Sequence, residues 1–335
     1  MLKKRPTLKD IAIALNVSTT TVSRALNNKE DISKEMRKKV WDVAKMLDYK
    51  PNTLARSLRQ KSSNKVIGAI IPEVDHYFLS TIIKGITSSV DAEYLIMIGE
   101  SRHNPEMERK IINRFVDHFV GGIILIPTKH DASKRNIHLL QEAHIPHILV
   151  GRTFETYEGS FLRHDSFHGA EVAIDHLVSK GHKRIALFKG ADECTVSKDR
   201  LAGYKKSLSM HNIDFDDSLI ITCPNACREE AFVACEQLFR LKQPPTAIFT
   251  ITDHLAAGIY QYASAYGLNI PDDISVVGYS NSDLSDILHP KLTTVAQDGF
   301  ELGRIAKEQM IKIIDDPAYA YKNILSSSLI VRDSS

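Results

Sequence analysis

The chain has 335 residues, 43% hydrophobic and 25% charged, a balance that excludes extensive disorder at a length exceeding one average domain. The net charge of +2 conceals a division: residues 1–65 carry 16 Lys and Arg against 6 Asp and Glu, and the remainder carries 27 against 35. A basic end on an acidic body points to a polyanion partner for that end only. No stretch approaches the roughly 20 apolar residues needed to cross a bilayer. The basic residues 1–9 lead into an amphipathic pattern, not an apolar leader, so a cytoplasmic protein without a membrane partner is expected.

In chain order, Thr7 is placed to cap a first helix, with Asp10 favouring its positive end. Leu8, Ile11, Ala12, Ala14 and Leu15 supply its buried stripe. Asn16-Val17-Ser18 forms a turn, and Ser18 caps a second helix whose apolar face is Val22, Ala25 and Leu26. Thr19, Thr20, Ser23, Arg24 and Asn27 lie elsewhere on it. Ser33 caps a third helix, where Met36, Val40, Ala44 and Leu47 close a three-helix core that Trp41 and Val43 are expected to join. Pro51 breaks the helical pattern at Lys50 and suits the first turn of a short helix over 53–59. Below about 12 residues an isolated helix is marginal, so this one needs a partner chain or ligand. Residues 60–64 read as a linker.

From Lys65 the pattern changes to apolar runs at 66–71, 94–98, 122–126 and 146–150, then at 185–188, 219–222, 246–251 and 275–278, with amphipathic segments between them. Strands alternating with helices predict parallel sheets covered on both faces, an α/β class, and two series predict two similar lobes. The run 329–332 reads as a final strand, with no apolar heptad tail for a tetramerising coiled coil.

Helix, short turn and capped second helix make a helix-turn-helix, whose second helix enters the major groove of double-stranded DNA. Ser18, Thr19, Thr20, Ser23, Arg24 and Asn27 are therefore candidate DNA contacts, with Thr19, Thr20 and Arg24 as readers. Arg24 can donate two hydrogen bonds to guanine O6 and N7, and threonine offers a hydroxyl or a methyl contact. In open parallel sheets ligands sit beyond the carboxyl ends of the strands. That rule selects Asp75 to Phe78, Glu100 to Arg102, Pro127 to Thr128, Arg152, Asp253 and Ser280 to Asn281. Tyr77 and Phe78 offer a stacking wall, and the Arg and Asp residues can bond sugar-like hydroxyls.

Enzymatic signals are missing: there is no Gly-x-Gly-x-x-Gly, Walker loop or Gly-x-Ser-x-Gly. His164 and His168 stand at helical i, i+4 spacing without the Glu of a zinc-protease motif, which favours coincidence or surface placement. Cys194, Cys223, Cys227 and Cys235 lack a second close ligand pair and read as reduced structural thiols, so neither metal nor cofactor is expected. An enzyme and a transporter's solute-binding protein are the rivals on a two-lobed fold; the basic headpiece opposes the second.

Read together, Thr7-Leu8-Lys9-Asp10-Ile11-Ala12, Val17-Ser18-Thr19-Thr20-Thr21-Val22-Ser23-Arg24-Ala25-Leu26-Asn27 and Tyr49-Lys50-Pro51-Asn52 resemble the lactose repressor (LacI/GalR) family. The likeness continues through Arg200-Leu201-Ala202-Gly203-Tyr204 and Pro271-Asp272-Asp273-Ile274-Ser275-Val276-Val277-Gly278-Tyr279. It implies a headpiece over 1–50, a hinge helix and linker over 51–64, and a periplasmic-binding-protein-like sensor over 65–335. One lobe would span about 65–162 and 293–323, the other 163–292 and 324–335. The resemblance further implies a homodimeric repressor whose hinge helices pair in the minor groove, with Leu58 as wedge and Asn52, Ala55 and Arg59 near backbone or groove. It makes Arg200 an effector-contacting arginine and supports Asp253 and the Tyr77 to Phe78 region; Arg102, Arg152 and Asn281 complete the candidate set. Many relatives carry Asp where this chain has Ser280-Asn281, and Asp-Arg where it has Gly151-Arg152. A sugar or sugar derivative is the expected effector, with a nucleobase or a phosphorylated co-effector protein as alternatives.

Overall fold

Capping chemistry sets the helices of the first unit. The computed structural model describes residues 6–49, 65–88, 94–128, 130–154, 157–191 and 195–335, in two compact units that divide after Ser63. The Thr7 N–H and hydroxyl both donate to Asp10 Oδ2 at 2.7 Å, opening the helix Leu8–Leu15, which ends on Asn16 in the left-handed region at φ 52°. Ser18 Oγ accepts from the Thr21 N–H at 3.0 Å and starts Thr19–Leu26. Ser33 does the same for Lys34–Met46 through Met36. Ile11, Ala12, Val22, Ala25, Val40 and Ala44 form the core. Trp41, expected to join it, is 45% exposed. Val40 and Ala44 stand one turn apart on the inner face, and Trp41 is rotated about 100° away from Val40. Asn52, Ala55, Leu58 and Arg59 lie outside the described residues.

The second unit holds two six-stranded sheets. The first contains β1 (Val66–Ile71), β2 (Leu95–Glu100), β3 (Gly122–Leu125), β4 (His147–Val150), β5 (Ser160–His164) and β11 (Lys322–Leu325), in the order β11-β5-β4-β3-β1-β2, all parallel. The second contains β6 (Ile185–Lys189), β7 (Ile220–Thr222), β8 (Ala247–Thr250), β9 (Ser275–Ser280), β10 (Thr293–Ala296) and β12 (Ser328–Ile330), in the order β12-β10-β9-β8-β6-β7. Among the described residues of this sheet, the β10–β12 pair is antiparallel and the other pairs are parallel. Alternation puts Ala69 and Ile71 among the helices Tyr77–Thr87 and Gly299–Asp315, and Ile70 among Pro105–Asp117 and His130–Glu142, so apolar side chains cover both faces. Gly85 lets two of these helices approach closely, since a Cβ there would stand 2.0 Å from the Phe300 carbonyl oxygen.

The chain passes between sheets three times: between β5 and the helix Ser166–Ser179, between β10 and Gly299–Asp315, and between β11 and β12. The expected crossing at 293 falls after Ala296 instead, because Thr293–Ala296 pairs with β9. The last, expected at 324, falls after Leu325, which pairs with His164. Strands β5, β10 and β11 were not read from the sequence, being short and polar or alternating. His164 therefore lies in a strand, not a helix, and is 5% exposed, not at the surface.

Candidate functional site

On the second headpiece helix, Val22 and Ala25 face the core, while Ser18, Thr19, Thr20 and Arg24 are exposed. Ser18 is committed to its cap, and Asn27 Nδ2 turns back to the Ser23 carbonyl at 2.8 Å. Arg24 Nε pairs with Asp31 Oδ2 at 2.7 Å, both side chains about half exposed. Arg24 holds the Asp31 carboxyl below its usual range. Thr19, Thr20 and Arg24 thus form an outward polar face on a helix fixed by a cap.

At the carboxyl edges of the sensor sheets, the loop after β1 brings His76, Tyr77 and Phe78 toward the other lobe. The His76 and His254 rings stack with centroids 6.5 Å apart, and Phe78 meets His164 edge-on at 6.1 Å. Burial raises the Tyr77 phenol, reinforced by Asp283, Asp253 and Asp298. Arg200, 5% exposed on the helix Thr195–Met210, donates to the Ile251 carbonyl and, at 3.2 Å, to Gln297 Oε1 on the second crossing. Its guanidinium lies 3.5 Å over the Tyr279 ring, a cation–π geometry.

Other sequence candidates are engaged within the protein. Asp253, 1% exposed, accepts from the Ser282 N–H and the Thr294 hydroxyl, each at 2.6 Å. Burial pushes its carboxyl up against those hydrogen bonds. Gly278 makes room for it, since a Cβ there would lie 2.3 Å from Asp253 Oδ1. Asn281 Oδ1 accepts from Arg332 at 2.8 Å and from Ser285 at 3.2 Å, in a turn where Ser280 has φ 115°. Arg102 is turned outward, its side chain 80% exposed and 3.2 Å from Glu100. Arg152 Nη1 donates to the carbonyls of Pro127 and Thr128 at 2.8 and 3.1 Å. The structure thus gathers His76, Tyr77, Phe78, Arg152, Arg200 and Asp253 at one edge and leaves Arg102 at its periphery.

Sequence reasoning missed His164, Lys189, His254, Tyr279 and Gln297. Lys189 closes β6 one residue beyond the apolar run used to find it, and is 6% exposed. Gln297 follows β10, whose Thr293-Thr294 start hid the strand that carries it. Burial pushes both His76 and His164 down to about 4.

Residues 7–52 match the family described as bacterial regulatory proteins, lacI family, and residues 174–335 match a periplasmic binding protein-like domain. The sequence is 31% identical to the HTH-type transcriptional repressor CytR of Escherichia coli K12, over 98% of this chain and 96% of that protein. The chain belongs to the lacI family. Among solved structures, the lac repressor dimer bound to operator and the anti-inducer ONPF matches 99% of both chains at 26% identity, with a TM-score of 0.83. A LacI family regulator from Enterococcus faecium with bound ribose matches 81% of this chain and 98% of that one, at 27% identity and a TM-score of 0.68. As a lacI-family member the chain is a DNA-binding transcriptional regulator, and the enzyme and transport alternatives fall with that assignment. No helix among the described residues is long and apolar enough to cross a membrane.

Proposed function

We propose that a homodimer of this cytoplasmic chain represses transcription by binding a two-half-site operator, with a sugar or sugar derivative between the sensor lobes setting operator affinity. The observation that carries it is the Ser18-capped helix presenting Thr19, Thr20 and Arg24 outward, in a chain alignable end to end with repressors. Residues 1–50 form the reading unit, 51–64 the hinge segment and 65–335 the sensor, with Leu58 the wedge of the hinge. The complex of a relative with operator supports the dimer, and that of another with ribose supports the sugar. Arg200 is the central sensor residue: its bonds to Ile251 and Gln297 tie one lobe to a crossing. A molecule that binds one lobe arrangement better shifts the population toward it, and differential affinity alone produces the shift.

Selection of the purified protein on a randomised DNA pool at moderate salt tests this, because phosphate contacts make affinity salt-dependent. Enrichment of a pseudo-palindrome is the expected result; a folded protein that enriches nothing, with or without sugars, overturns it. Arg200→Ala is expected to weaken the effector response about 10- to 100-fold, the worth of a charged hydrogen bond or two, while leaving basal operator binding intact. A variant that responds fully removes Arg200 from the site.

A further inference from the structure

Arg24 does not stand alone on the second headpiece helix. It lies in the last turn of Thr19–Leu26, and its Nε meets Asp31 Oδ2 at 2.7 Å. Asp31 belongs to the connection leading to the third helix, and that connection is fastened on both sides of it. Past Asn28, whose φ is 53°, the Lys29 N–H donates to the Arg24 carbonyl at 3.1 Å. The carbonyls of Lys29 and Ile32 both accept from Arg37 Nη2 on the third helix, at 3.0 and 3.3 Å. Ile32 packs against the headpiece core, and Ser33 caps the next helix. The backbone therefore places the Asp31 carboxylate beside Arg24.

Such a pair contributes little to stability, because both side chains are about half exposed. Its weight falls on recognition. An unrestrained arginine beside DNA has two kinds of acceptor within reach, phosphate oxygens and base edges, and base edges carry the sequence. Asp31 engages the side of the guanidinium, through Nε, so two bonds to guanine O6 and N7 would be made end-on by the Nη nitrogens. The long side chain is then ordered before DNA arrives, which lowers the cost of ordering it on binding. The carboxylate also repels phosphate. It opposes binding to DNA of any sequence while favouring the one contact that reads a base, and specificity is the difference between the two.

We propose that Asp31 is a specificity-determining residue of the headpiece, restraining Arg24 toward a guanine edge and away from neighbouring phosphates. Asp31 is a positioning residue that acts through Arg24, so the proposal rests on the reading of Arg24 as a base contact.

The test is selection of the full chain on a randomised DNA pool, then competition between the recovered consensus and the same duplex with one guanine replaced. That guanine is the one whose preference Arg24→Ala relaxes. Asp31→Ala is expected to lower the preference for it about 2- to 10-fold, the range that follows from freeing one rotamer-rich side chain. Affinity for random DNA should rise, with a salt dependence steeper by about one released counterion. Asp31→Asn, which keeps the shape and loses the charge, should fall between the parent and Asp31→Ala. In an Arg24→Ala background, adding Asp31→Ala should change the preference no further. An undiminished guanine preference in both Asp31 variants overturns the proposal and leaves Arg24 as the reader. An equal change in the Arg24→Ala background means that Asp31 acts on its own, and overturns it too. An Arg24→Ala profile identical to the parent's overturns both readings.

Discussion

The second headpiece helix and the carboxyl edge of the sensor handle polar side chains in opposite ways. Thr19 and Thr20 are exposed, and Arg24 is held only by a solvent-washed partner, Asp31. Asp253, Asn281 and Arg200 are bonded to their own protein, two of them almost wholly buried. A convex reading surface presents its groups before the partner arrives, and its specificity comes from which side chains point outward. In a concave sensor most groups build the wall, and few remain to meet a ligand. A polar residue at a strand end is therefore as often structural as recognitive.

The largest expected effect breaks the wall. Asp253→Ala strips the acceptor from the Ser282 N–H and the Thr294 hydroxyl, both buried, and should cost about 2–5 kcal/mol of stability. It would be read as a lower denaturant midpoint at constant m-value; an unchanged midpoint would return Asp253 to the ligand side. Next comes pH. Half-buried His76 and buried His164 are pushed down to about 4, whereas an unfolded histidine titrates near about 6.5. Between those values the unfolded chain binds more protons, so their stability contribution is complete above about 6.5 and is lost as pH falls toward 4. For His164 alone the full loss is roughly 3 kcal/mol. Melting curves from pH 7 to 5 should slope downward, and His164→Gln should flatten them; an identical slope in the variant would exclude His164 as the source.

On the convex side, Arg24→Ala should cost about 1–3 kcal/mol of operator binding and relax preference at one base pair. Asp31→Ala, which removes only the competing partner, should do less. A selected-site profile identical to the parent's would remove Arg24 as a reader. The smallest effect concerns Trp41. Being half exposed, it should emit at the long wavelengths of a solvated indole, and Trp41→Phe should shift stability by about 0.5 kcal/mol at most. A larger loss would return it to the core.

How much was legible follows the same division. The headpiece helices announce themselves through local chemistry, since Thr7, Ser18 and Ser33 each sit one residue before a helix whose apolar residues recur at helical period. The eight strands built on apolar runs were found, within a residue or two. Strands β5, β10 and β11 were not, because Ser160 to His164 alternates and β11 is a half-exposed edge. Their sheets are fixed by long-range pairing, which no local window contains. The strand-end rule located Arg152, Asp253 and the His76 to Phe78 helix start. It was silent on Arg200, which lies inside a helix and entered through family resemblance, and on His164 and Gln297, which depend on where the chain changes sheets.

Those changes of sheet have a mechanical meaning. The first and third connections are laced together, with the Asp165 N–H donating to the Leu325 carbonyl at 2.9 Å and Ser327 Oγ to the Asp165 carbonyl at 3.1 Å. Neither sheet can be cut out as one continuous stretch of sequence, because β11 returns to the first after the second is nearly built, and β12 then returns to the second. A protease that nicks one connection leaves two tethers in place, and a ribosome must release nearly the entire chain before either sheet has its full set of strands. The two halves of the sensor are obliged to be made, kept and lost together, like covers sewn to a common spine.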